Sequence, residues 1–147
     1  MRFEGEREVG TPFVIRYRAR VSELARTSGG RLVVEDVPYP SRLGARFAPL
    51  AARESPLLIG VGERSSLRIE VTPPPGETPV AGAPVKVEAP QGSFVREERV
   101  EGGRLVREDL LELRRARVSV GEYPGFARWA AAVDEAQALP MDVGAGR

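Results

Sequence analysis

Proline and glycine interrupt this chain too often for long helices: there are 13 of the first and 16 of the second in 147 residues. Proline removes a backbone donor and clashes with the preceding turn, while glycine loses entropy in any regular element, so both collect in turns. The spacing predicts short strands joined by turns. An apolar content of 41% is ordinary for a globular domain, and a chain this long can bury a core without disulfides.

Between the breaks, apolar residues fall at every second position, the period of a strand with one buried face. Phe13 to Val21 is the clearest case, with Phe13, Ile15, Tyr17, Ala19 and Val21 on one side and Arg16, Arg18 and Arg20 on the other. Arg31 to Val37 is its expected hairpin partner, with Ser22 to Gly30 as a loop or short helical turn, and Pro38 and Pro40 closing it. Pro56 to Val61, Ser66 to Val71 and Val85 to Glu88 are further strand candidates. Ser41 to Ser55 reads as irregular because Gly44 and Pro49 interrupt it, and the Pro73-Pro74-Pro75-Gly76 stretch opens an extended connection. Gly92 to Val100 and Arg104 to Leu113 form the strongest hairpin signal, joined by a three-residue Glu101-Gly102-Gly103 loop whose glycines supply positive φ. The second arm runs on through Arg117.

After Ser119 the period changes. Ser119 and Glu122 have the spacing of a capping box, and Pro124 is tolerated in a first helical turn because its missing donor is not needed there. Phe126, Trp129, Ala130 and Val133 then line one face of a helix over 119–138 that Pro140 ends. The expected fold is mainly β: an antiparallel β-sandwich of about seven strands with one C-terminal amphipathic helix. One domain would span 1–139, with a disordered tail over 140–147.

The chain contains no cysteine and no histidine, which removes thiol nucleophiles, disulfides, Cys or His metal sites and imidazole acid–base catalysis. The 22 basic residues, all arginine except Lys86, nearly balance 21 acidic ones and alternate with them, so no nucleic-acid partner is indicated. No apolar stretch approaches the 18–20 residues of a membrane span, and insertion of this chain into a membrane is not expected.

Four groups carry a possible chemistry, each with a simpler structural account. Glu97-Glu98 and Glu108-Asp109 would face each other across the hairpin as a carboxylate pair, but Arg96, Arg99 and Arg107 interleave them, which favours cross-strand ion pairing on an exposed face. Gly60-Val61-Gly62 lacks the third glycine and the helix of a phosphate-binding turn, so a strand-ending turn is preferred. Asp134-Glu135 with Glu122 has no calcium-loop spacing and reads as helix solvation. Phe126, Trp129 and Tyr123 read as core before binding stripe, and Trp129 or Tyr39 would serve carbohydrate only if exposed. No catalytic, cofactor-binding or metal-binding residue is assigned, and no cofactor is expected.

The hairpin from Gly92 followed by Tyr123-Pro124-Gly125-Phe126-Ala127-Arg128-Trp129, with the upstream Ala52 to Gly60 and Ser66 to Glu77 stretches, resembles the β-rich C-terminal tail of a bacterial family. In that family an N-terminal domain of unknown function and a transglutaminase-like core precede the tail. The resemblance implies a non-enzymatic accessory domain that packs on or spaces such a core, in proteins commonly exported or membrane-attached, with a periplasmic or other extracytoplasmic location. It implies no functional residue here, because no position can receive the family's catalytic Cys or His. The alternative is an independent protein-interaction or adhesion module working through an exposed sheet edge.

Overall fold

The structure, a computed structural model, describes residues 2–4, 14–16, 24–35 and 40–145. Among them the strands are β1 (Arg2–Glu4), β2 (Val14–Arg16), β3 (Ala25–Ser28), β4 (Arg31–Val34), β5 (Leu57–Ile59), β6 (Glu63–Val71), β7 (Val85–Ala89), β8 (Gly92–Glu101), β9 (Arg104–Leu113), β10 (Ala116–Val118) and β11 (Met141–Ala145). The helices are α1 (Leu43–Phe47) and α2 (Tyr123–Ala138). The chain is mainly β, with antiparallel sheets and a C-terminal helix, as the alternation of its sequence leads one to expect.

The largest sheet has the order β6-β9-β8-β7, a Greek-key arrangement in which β7, β8 and β9 form a meander and β6 returns beside β9. The proline-rich connection between β6 and β7 is anchored midway, where Val80 bridges to Asp142 of β11. The other sheets are β11-β4-β3, β10-β5 and β1-β2.

One face of the four-stranded sheet is buried under two covers. Toward one end, Phe94, Leu111 and Leu113 pack with Tyr123, Phe126, Trp129, Ala130 and Val133 of α2, and with Leu43, Leu57, Ile59 and Val118. Toward the other end, Leu105 packs with Val34, Met141 and Val143 of the three-stranded sheet, flanked by Ile69 and Val71. Each large apolar side chain fully buried this way contributes roughly 1.5–3 kcal/mol. Gly92 lets the Trp129 ring approach: a Cβ there would meet the Glu112 carbonyl oxygen and come within 3.0 Å of the indole.

Several expectations change. The partner of β4 is β3, inside the stretch expected as a loop, joined to it by Gly29-Gly30 with φ of 57° and 75°. Only Val14–Arg16 of the Phe13 to Val21 strand lies among the described residues, and it pairs with β1. Ser41 to Ser55 contains α1 despite Gly44, because α2 supplies its missing cap. The strand expected to run through Arg117 breaks after Leu113, and its continuation, β10, pairs with β5. The Gly92 to Leu113 hairpin closes with two residues, not three: Glu101 pairs with Arg104, and Gly102 (φ 55°) and Gly103 (φ 78°) both take the left-handed conformation of a type I′ turn.

Within the expected disordered tail, Met141–Ala145 forms a strand. Met141 and Val143 are about 1% exposed, and β11 pairs with β4 with a register shift between Asp142 and Gly144, held by a bidentate Arg31–Asp142 bridge. The sequence signal was an alternation of Met141 and Val143 too short to count after a helix-ending proline. The capping box does form, in the turn before α2: Glu122 accepts from the Ser119 backbone N–H at 2.9 Å and hydroxyl at 2.6 Å, and the Ser119 hydroxyl faces the Glu122 N–H at 3.3 Å.

Candidate functional site

Register sorts the hairpin charges onto two faces. Arg96 lies opposite Asp109 and Glu98 opposite Arg107 on the buried face, while Glu97 lies opposite Glu108 on the outer face. Arg96 and Arg107 are thus not part of an exposed ion-pair ladder. Arg107 is fully buried and grips Asp109 through Nε–Oδ1 at 2.8 Å and Nη2–Oδ2 at 2.6 Å. Arg96 pairs with Glu98, whose other oxygen accepts from the Gly82 backbone at 2.9 Å.

The two guanidiniums serve a helix end. The last carbonyls of a helix have no partner within it. Here Arg96 donates to the carbonyls of Ala136 (3.0 Å), Leu139 (2.7 Å) and Pro140 (3.0 Å), and Arg107 donates to Gln137 (3.0 Å) and Leu139 (3.4 Å). Two positive charges therefore meet the negative pole of α2, and all are charge-assisted contacts. Reading the strand period strictly would have found this, since Arg96 is in phase with buried Phe94, and Arg107 with Leu105 and Leu111.

Asp134 is likewise not a solvated helix residue. Its carboxylate accepts from the N–H groups of Leu43 (2.8 Å) and Gly44 (2.9 Å), capping α1 from a different helix. One turn on, Gln137 Oε1 accepts from the backbone and hydroxyl of Ser41 at 3.0 and 2.6 Å. Tyr123, Phe126 and Trp129 are core, with the Tyr123 hydroxyl donating to Leu50 O at 2.7 Å. Gly60 to Gly62 is the turn between β5 and β6. Tyr39 lies outside the described residues.

On the outer face, Glu108 accepts from Arg99 and Arg68, which hold its carboxyl down at about 2. Arg99 and Arg68 also reach Glu101, and Glu70 bridges Arg68 to Arg104. Among the described residues no group of three or more acidic side chains could hold a metal ion, and no helix is long and apolar enough to cross a membrane.

The strand edges differ in how they are closed. β7 is five residues long, flanked by Pro84 and Pro90, with its Val87 carbonyl 3.5 Å from the Trp129 indole nitrogen. β6 is nine residues long, contains no proline, and among the described residues pairs only with β9. In an antiparallel ladder every second residue aims its N–H and C=O away from the partner, so about four residues of β6 offer backbone groups with no strand partner among the described residues. Of its charges Arg68 turns onto the sheet toward Glu70 and Glu108, Glu63 pairs with Arg46 of α1, and Arg64, largely exposed, reaches Glu112 at 3.5 Å.

A depression flanks β6 on each face. The outer one, about 460 Å³, has Val95 and Leu110 on its floor between Ser66, Arg68, Glu97 and Glu108. The inner one, about 310 Å³, lies between Ser65, Leu67 and Asp109 of the sheet and Ser41, Arg46 and Gln137 of the helical side. A comparison of the chain with protein-family models, curated proteins and solved structures finds no match.

Proposed function

We propose that this chain is a non-catalytic accessory β domain that holds a protein partner by strand addition along β6. The transglutaminase-like core implied by the resemblance is the first partner to test, and the extracytoplasmic location it implies belongs to the same reading. The observation that carries the proposal is the nine-residue β6 edge, proline-free and, among the described residues, paired on one side only. Main-chain hydrogen bonds along such an edge supply affinity without any reactive side chain. Of the large exposed apolar residues, Leu58 lies on β5, while Leu50, Val61 and Val120 lie in connections.

The test uses the full chain and a separately expressed transglutaminase-like core of the resembling family, with Ser65→Pro and Ser66→Pro in β6. One of these prolines removes a ladder bond to β9 and lowers the unfolding midpoint; the other removes only an outward N–H. The outward variant is expected to keep its midpoint and lose at least tenfold in affinity. Absence of binding by the parent chain, or unchanged affinity in the outward variant, refutes the proposal.

A further inference from the structure

The inner cleft beside β6 is assembled from groups that are almost wholly buried yet not fully used. Gln137 is 6% exposed and Asp109 4%, and both line the cleft. The orientation of the Gln137 amide is set by chemistry: the Ser41 backbone N–H can only donate, so the group facing it is Oε1. Nε2 is left with no acceptor among the described residues. Among the described residues no buried side-chain nitrogen or oxygen is unsatisfied, so Nε2 keeps some access to solvent, and the cleft that Gln137 lines is the opening beside it. Asp109 gives one contact from each oxygen to Arg107, half of the about four a carboxylate can accept. Ser65, at the cleft mouth on β6, has no hydrogen-bond partner for its hydroxyl among the described residues.

The charges in the cleft are already matched, Arg46 with Glu63 and Arg107 with Asp109. A charged side chain would enter without a counter-ion, and an apolar one would strand the spare donors and acceptors. The complementary group is neutral, with an acceptor for Nε2 and a donor for Asp109 or Ser65. A carboxamide supplies the two from separate atoms, where a hydroxyl would have to supply both from one oxygen. A volume of about 310 Å³ leaves room for such a side chain. Side chains of an added strand alternate between faces, so every second one from a strand along β6 passes over Ser65 and Leu67 toward this cleft.

We infer that the partner strand on β6 carries an asparagine or glutamine whose carboxamide seats between Gln137 and Asp109. The inference rests on the strand-addition reading. The probe is a capped nine-residue peptide of alternating threonine and valine, ended by arginines for solubility, with glutamine, leucine or lysine at its centre. Affinity is measured by titration and location by amide exchange of β6 in the full chain. The glutamine peptide is expected to protect the β6 amides and to bind at least tenfold tighter than the other two. Gln137→Glu, which keeps the acceptor for Ser41 but removes the donor, is expected to erase that preference. Ser65→Val, which fills the cleft mouth from an exposed strand position, is expected to do the same should Gln137→Glu fail to fold. Equal affinities with β6 protected overturn the carboxamide assignment and leave strand addition standing; no protection of β6 by any peptide overturns both.

Discussion

Replacing Arg107 with methionine removes both contacts to Asp109 and, among the described residues, the only side-chain donor to the Gln137 carbonyl. Both members of the pair are buried, so the stranded carboxylate keeps only the narrow cleft beside β6 as a route to water. Breaking a buried pair this way costs about 3–5 kcal/mol, a large part of the stability of a domain this size. The unfolding midpoint should fall by roughly 10–20 °C. Asp109→Leu strands the guanidinium and should cost a similar amount. The double variant Arg107→Met/Asp109→Leu removes both charges and leaves mainly the Gln137 carbonyl unpaired, because Leu139 still receives Arg96 at 2.7 Å. Its deficit should be about 1–3 kcal/mol. Urea denaturation of the four proteins gives the coupling energy directly. If Arg107→Met costs under about 1 kcal/mol, or the double variant loses the sum of the singles, the buried-clamp account is wrong.

Gly92→Ala should cost about 1–3 kcal/mol, since the new methyl meets the Glu112 carbonyl and the indole; emission from Trp129, the only tryptophan, should shift with it, and a parent-like urea curve would count against the packing described. Ending the chain after Leu139 should lower the midpoint sharply, because Met141 and Val143 each bury roughly 1.5–3 kcal/mol of apolar side chain; an unchanged midpoint would restore the disordered tail. The folded Glu108 carboxyl titrates at about 2 against 4.5 ordinarily, so its stabilisation is complete above about pH 4.5 and is lost as pH falls through 2. Thermal midpoints at low salt should therefore drop less between pH 5 and 2 in Glu108→Gln than in the parent, and superimposable profiles would remove Glu108 from the account.

Strand alternation was legible in β6, β8 and β9, which stand close to their expected places. The helix was legible from Phe126, Trp129 and Val133 because their spacing matches one face and nothing else. What escaped was decided by distant partners. β3 is Ala-Arg-Thr-Ser, with no apolar alternation, and exists because β4 pairs with it. α1 holds its five residues because Asp134, some 90 positions on, caps it. The buried charges were misplaced because arginine and glutamate read as solvent-facing by default, although their phase with Phe94 and Leu111 said otherwise. The β6 edge was foreseen only as a general possibility. Its cleft depends on Gln137 meeting Ser41, which no local pattern records.

The clamp at the end of α2 also bears on how this molecule opens. Arg96 and Arg107 sit on the central strands, and the carbonyls they hold belong to residues 136–140, immediately before β11. Fraying of the last helical turn would expose those carbonyls and leave the remaining donors of two buried guanidiniums unpaired, so the usual low-energy loosening of a helix end is suppressed. Amide protons at the end of α2, in β11 and at the centre of β8 and β9 should then exchange through one common opening, with a single free energy close to that of global unfolding.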